Sequence, residues 1–207
     1  MEITTRSGNS YFYDRFTNRI ELTKGEPLPR VDRFEIDEKS FQISLSHFCI
    51  EMTQQCNFRC KYCCYSGEYA NWREHKEKKQ TKESLEDIIS FISNEAVKEG
   101  EISISFYGGE SLLVLDKIKF VVQRLILLFK ERISFSISTN GYLLSKPVID
   151  WICSVPRVNL SITIDGDEEM HNLNRVLSDG TPTHRKILSN LQYFHDRYPF
   201  EYTERVS

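Results

Sequence analysis

Four of the six cysteines fall within nine residues, and the run Cys56-Asn-Phe-Arg-Cys60-Lys-Tyr-Cys63 sets three thiols on one short loop. Cysteines this crowded do not frame disulfides in a chain of 207 residues. They read as metal ligands in a reducing compartment, the cytoplasm. The number of thiolates selects the chemistry. Four saturate a cubane iron–sulfur cluster, whereas three leave one iron with a position that an outside ligand can take. A structural zinc knot is the alternative, with Cys64, Cys49 or His75 as its fourth donor, yet such sites usually join Cys-x2-4-Cys to a second, distant pair. The sequence has no second pair. Cys64 then reads as an inert neighbour of the loop, with an alternative ligand or a redox-sensitive thiol as the other readings, and Cys153, beside Trp151 and Ile152, reads as a small core residue.

Three later segments carry groups suited to holding a ligand. In Phe106-Tyr-Gly108-Gly109-Glu110-Ser-Leu-Leu the glycines let backbone come close to a ligand, and their carbonyls with the Glu110 carboxylate can accept hydrogen bonds from an ammonium group. Taken alone, a Gly-Gly pair is also an ordinary tight turn. Ser136-Ile-Ser138-Thr139-Asn140-Gly141 ends in Asn-Gly, itself a turn signal. Thr163-Ile-Asp165-Gly166 is followed by His171-Asn-Leu-Asn-Arg175. The plain alternatives are a strand-ending turn at Asp165-Gly166 and a surface ion pair at Arg175. His171, His184 and His195 have no metal-binding spacing and read as surface or helix-packing residues.

The elements that must position these groups follow from periodicity. Strands are predicted at 47–52, 101–106, 133–138 and 158–164, and helices at 81–98, 115–130, 146–153 and 183–196. Alternation of this kind predicts a parallel sheet, and it sets all four motifs at the carboxyl ends of successive strands, where parallel βα folds build their sites. Thr81 is placed to cap the first helix, and Gly100 to close it. The charged run 73–82 reads as a solvated loop and helix entry. Residues 1–44 have a different texture. Short aromatic and β-branched segments at 11–16, 19–23 and 33–36, punctuated by Gly25, Pro27 and Pro29, predict a β-rich preface to a core spanning 45–207.

Composition narrows the function classes. With 27 Lys and Arg against 30 Asp and Glu, the net charge of −3 gives no basic field for nucleic acid or an anionic membrane. The amino terminus lacks an apolar core behind a basic start, and the stretch 120–129 is interrupted by Gln123 and Arg124, so neither signal peptide nor membrane span is expected. At 40% hydrophobic residues the chain can bury one sizeable core.

Cys-x3-Cys-x-aromatic-Cys, with Tyr62 as the aromatic, resembles the defining motif of the radical S-adenosylmethionine (SAM) superfamily. The resemblance implies a partial (β/α) barrel and a [4Fe-4S] cluster on Cys56, Cys60 and Cys63. It implies SAM on the fourth iron, split by an electron from a reducing donor to give a 5′-deoxyadenosyl radical. Gly108, Gly109 and Glu110 resemble the element that holds the SAM amino group, with Ser111 in place of the usual proline. Ser138 and Asn140 fall in the element lining the ribose and methionine. The Thr163 to Arg175 segment is similar to that of anaerobic sulfatase maturases and peptide maturases, which puts Thr163 and Arg175 near the SAM carboxylate. By the same analogy the substrate is a ribosomally made peptide or protein, and the preface helps to hold a leader peptide. Six βα units are expected of the family and four fit here, so the chain reads as truncated, with a fifth strand beginning within 200–206. The resemblance also implies a cysteine-rich domain after the core, and the cysteines expected of it do not occur within these 207 residues. A fragment that binds cluster and SAM without turnover, and a zinc-stabilised binding module, are the rival readings.

Overall fold

The computed structural model describes residues 2–14, 19–21, 45–66 and 74–207. The chain divides into two compact units, Met1–Ile43 and Ser44–Ser207. In the first, β1 (Glu2–Thr4), β2 (Ser10–Asp14) and β3 (Arg19–Glu21) form an antiparallel sheet in that order. β1 was not read from the sequence, and the strand expected at 33–36 lies outside the described residues.

In the second unit β4 (His47–Thr53), β5 (Ile102–Gly108), β6 (Ile133–Thr139) and β7 (Val158–Ile162) form one parallel sheet in chain order. The side-chain alternation explains how it is covered. In β5 and β6, Ile102, Ile104, Phe106, Ile133, Phe135 and Ile137 are buried on one face, while Ser103, Ser105, Ser134 and Ser136 on the other are half-buried. Helices α1 (Lys82–Glu95), α2 (Leu115–Phe129), α3 (Lys146–Ser154) and α5 (His184–Arg197) bring Leu85, Ile89, Val121, Leu125, Ile152 and Phe194 into one core with the apolar face. Each buried aliphatic of this kind contributes about 1.5–3 kcal/mol. The serine face carries no comparable apolar load, so the sheet holds together from one side and leaves the other polar.

Two expectations are corrected. α1 is capped by Thr81 in a reciprocal box with Ser84, yet it ends at Glu95 rather than 98. Ala96 turns extended and bridges Leu45, with Val97 N–H donating to the Leu45 carbonyl at 3.0 Å. Gly100, at φ +87°, closes the later turn into β5 instead. The second correction lies at the carboxyl end: Pro199–Arg205 is a helix, α6, not a strand. Pro199 at its first turn supplies a preset φ, and Tyr198 and Tyr202 pack edge-on against Phe194. Strand pairing against β7 begins only at Val206, with Ser207 N–H donating to the Leu160 carbonyl at 3.0 Å. A further short helix, α4 (Glu168–Asn174), was not expected; the Asp167 side chain caps it by accepting from Met170 N–H.

Candidate active site

The cysteine loop leaves the carboxyl end of β4 and is held by residues far along the chain. Arg59 N–H donates to the Val176 carbonyl at 2.9 Å, Lys61 N–H to Asn174 at 3.0 Å, and Ser178 N–H to Asn57 at 2.9 Å. Phe58, 1% exposed, seats this seam in the core. Within the loop, Phe58 N–H points at Cys56 Sγ and Tyr65 N–H at Cys63 Sγ, both at 3.4 Å. Burial pushes the Cys56 thiol up to about 11 and raises those of Cys60 and Cys63; the Arg175 guanidinium opposes the shift at the latter two.

Three partly buried thiols with amide and guanidinium donors at hand suit anionic thiolates that lose their protons on binding metal. Among the described residues, no three His, Cys, Asp or Glu side chains are gathered closely enough to hold a single ion. Zinc, at about 2.3 Å from each sulfur, needs its donors converged on one point. A four-iron cluster takes one thiolate per corner and accepts sulfurs spread along a loop. His75, one proposed zinc donor, instead stacks on Tyr65 with ring centroids 6.0 Å apart, while Cys49 and Cys64 are exposed. Cys153 packs half-buried against the core.

Gly108 and Gly109 serve the backbone before any ligand. A Cβ on Gly109 would lie 2.2 Å from the Gln55 carbonyl oxygen, and one on Gly108, at φ +140°, 2.2 Å from that of Thr53. Only glycine lets β5 end this close to the start of the cysteine loop, where Gly109 and Glu110 N–H donate to Thr53 and Gln55 carbonyls at 2.8 Å. Glu110 is 1% exposed, and its carboxylate accepts from Leu112 N–H (3.0 Å), Thr139 Oγ1 (2.7 Å) and Asn140 N–H (2.8 Å). It ties the ends of β5 and β6 together, and burial raises its pKa. Asn140 Nδ2 donates in turn to Asn57 Oδ1 at 2.8 Å, inside the cysteine loop. Ser138 and Thr163 lie exposed at the ends of β6 and β7.

Arg175 is not a surface ion pair. It is 6% exposed, its guanidinium carbon lies 5.7 Å from the Phe58 ring centre, and its Nη1 donates to the Tyr62 hydroxyl at 2.7 Å. The Tyr62 hydroxyl donates onward to Asp165 Oδ2 at 2.6 Å. The structure thus brings the first cysteine motif and the last motif into contact through three side chains. Sequence reasoning gave no role to Asn57, Thr139 or Asp165. All three stood inside quoted motifs, and only their burial or partners single them out.

Comparison with known proteins identifies the family. The family model of the radical SAM superfamily matches residues 50–203. The cysteine-type anaerobic sulfatase-maturating enzyme of Clostridium perfringens is 29% identical over 71% of this chain and 40% of its own length. A GTP 3′,8-cyclase of Aliarcobacter butzleri is 34% identical over 47% of this chain and 28% of its own. A solved structure of native anSMEcpe with bound AdoMet and Cp18Cys peptide superposes with a TM-score of 0.65 at 25% identity, covering 80% of this chain and 42% of that one. The chain therefore spans about two fifths or less of the relatives it matches. A parallel sheet with motifs at its strand ends, a three-cysteine loop and a match across most of the core show that the chain belongs to the radical SAM superfamily, enzymes whose cofactors are a [4Fe-4S] cluster and S-adenosylmethionine.

Proposed function

We propose that this chain is the cluster- and SAM-binding part of a maturase-type radical enzyme that abstracts hydrogen from a peptide or protein substrate. The observation that carries the reading is the Tyr62 bridge to Asp165 and Arg175, which joins the cysteine loop to the segment resembling the maturases. Cys56, Cys60 and Cys63 would hold the cluster. The bound cofactors supply one-electron cleavage of the sulfonium and the hydrogen-abstracting radical. The chain's own residues bind and orient. Gly108, Gly109 and Glu110 form the amino-group side of the SAM site, Ser138 and Asn140 its ribose side. Thr163 and Arg175 would take the SAM carboxylate, and Tyr62 would line the site beside the cysteine loop. The electron comes from a reducing donor, in the cytoplasm. Among the described residues no helix is long and apolar enough to cross a membrane.

The test is anaerobic reconstitution with iron and sulfide, dithionite reduction with SAM, and assay of 5′-deoxyadenosine in wild type and Cys60→Ala. Nucleoside that vanishes in the variant supports the reading. A stable cluster without cleavage refutes independent turnover, and stoichiometric zinc in place of iron refutes the cluster.

A further inference from the structure

Between β7 and α5 lies a buried network that the cofactor assignments leave unused. His171 is 0% exposed, on α4, and both ring nitrogens are engaged: Nε2 with Thr183 Oγ1 at 3.0 Å, Nδ1 with the Asp165 amide at 3.3 Å. The partners settle which atom donates. Thr183 Oγ1 gives its proton to the Arg175 carbonyl at 2.7 Å, a group that can only accept, so the Nε2 contact is an N–H donated by His171. The Asp165 amide can only donate, so Nδ1 is bare. One neutral tautomer satisfies both contacts, and an imidazolium would set N–H against N–H. The charged and titratable groups facing the ring act on that balance: Arg175 from the end of α4, Asp165 from the end of β7, and His184 from α5 at 5.2 Å between centroids. Burial is the largest influence and, with Arg175 and His184, holds the imidazole below its usual pKa; Asp165 opposes.

The two backbone groups that His171 governs belong to Asp165 and Arg175, the partners of Tyr62 on the cysteine loop. Its neighbour Asn172 accepts from Thr183 and His184 N–H at 3.0 and 3.1 Å, fixing the start of α5 and with it the Thr183 hydroxyl. We propose that His171 is a positioning residue for the SAM site. As its neutral Nε2–H form it pins Asp165 directly and Arg175 through Thr183, so that the Arg175 guanidinium is already aimed when the cofactor's carboxylate arrives. The inference rests on the function proposed above. Groups that orient a ligand's partners typically change affinity by about 10–100-fold when removed.

The substitutions separate the two contacts. His171→Phe removes both, His171→Asn keeps an acceptor toward Asp165, and His171→Gln keeps a donor toward Thr183. SAM affinity is measured by calorimetry on anaerobic, cluster-loaded protein, and amide exchange at Asp165 on cluster-free protein. The expected result is a full iron complement in His171→Phe, SAM binding weakened about tenfold or more, faster Asp165 exchange, and partial recovery in the Asn and Gln variants. Wild-type affinity and exchange in His171→Phe overturn the inference alone. SAM binding absent from the cluster-loaded wild type overturns the proposed function and this inference with it. If His171→Phe does not fold, Thr183→Val decides: weakened binding supports the role, and unchanged binding refutes it.

Discussion

Gly109→Ala tests whether the end of β5 and the cysteine loop are built as one piece. The added methyl would stand 2.2 Å from the Gln55 oxygen, 2.6 Å from its carbon and 3.1 Å from the Gln54 oxygen, all backbone atoms without a rotamer to escape into. Relief requires the strands to part by about 1 Å, enough to break the 2.8 Å bond from Glu110 N–H to Gln55. Overpacking costs about 1–3 kcal/mol and the lost backbone hydrogen bond about 1 kcal/mol, so the variant should lose about 2–4 kcal/mol. At this chain length that lowers Tm by about 4–16 °C. Because Gln55 adjoins Cys56, iron retention after reconstitution should fall with it. Gly100→Ala is the control: it sits at φ +87° with nothing within 4 Å, so it should lose only the left-handed strain of about 1–2 kcal/mol and keep its iron. Calorimetry of the cluster-free proteins and iron analysis of the loaded ones read both effects. A Gly109→Ala protein that melts no lower than Gly100→Ala and binds a full cluster would refute the reasoning.

Other consequences are testable in the cluster-free protein. Glu110→Gln turns an amide N–H2 toward one of three buried donors and should cost about 1–3 kcal/mol in denaturant unfolding. Burial raises the Glu110 pKa, so the folded chain holds this proton more tightly than the unfolded one; stability falls as pH rises from the usual carboxylate range through the raised value, and the variant should flatten that slope. Tyr62→Phe removes two hydrogen bonds at a half-exposed position and should lower stability by about 1 kcal/mol while speeding alkylation of Cys60; an unchanged labelling rate would show that the bridge does not hold the loop. With Cys56 pushed up to about 11, about one part in a thousand is thiolate at pH 8. Mass spectrometry after iodoacetamide should find exposed Cys64 labelled well before Cys56, and the reverse order would contradict the burial.

Much of the core was legible because serine and aliphatic residues alternate in β5 and β6, so the strand period and the helix-covered face are written in neighbouring residues. One misreading has a long-range cause. Ala96 leaves the helix for a bridge to Leu45, about fifty residues away in sequence. The other misreading is local: residues 200–206 carry the aromatic and β-branched composition of a strand, yet Tyr202 packs on Phe194 and Pro199 was the signal for a helix start.

The site divides the same way. Cysteine spacing and Gly-Gly-Glu can be read along the chain, but the bonds Asn57–Asn140, Tyr62–Asp165 and Tyr62–Arg175 join residues 83, 103 and 113 apart, which no spacing encodes. The glycines show why this matters for function. Read locally, they make room for a ligand; in the fold, their missing side chains admit the Thr53 and Gln55 carbonyls. That contact brings Glu110 to the start of the cysteine loop, and Glu110 grips Thr139 and Asn140, while Asn140 reaches back to Asn57. The closed circuit makes each motif a structural support for the next. A substitution at Gly109, Glu110 or Asn140 should therefore weaken cluster retention and SAM binding together, rather than subtract a single ligand contact.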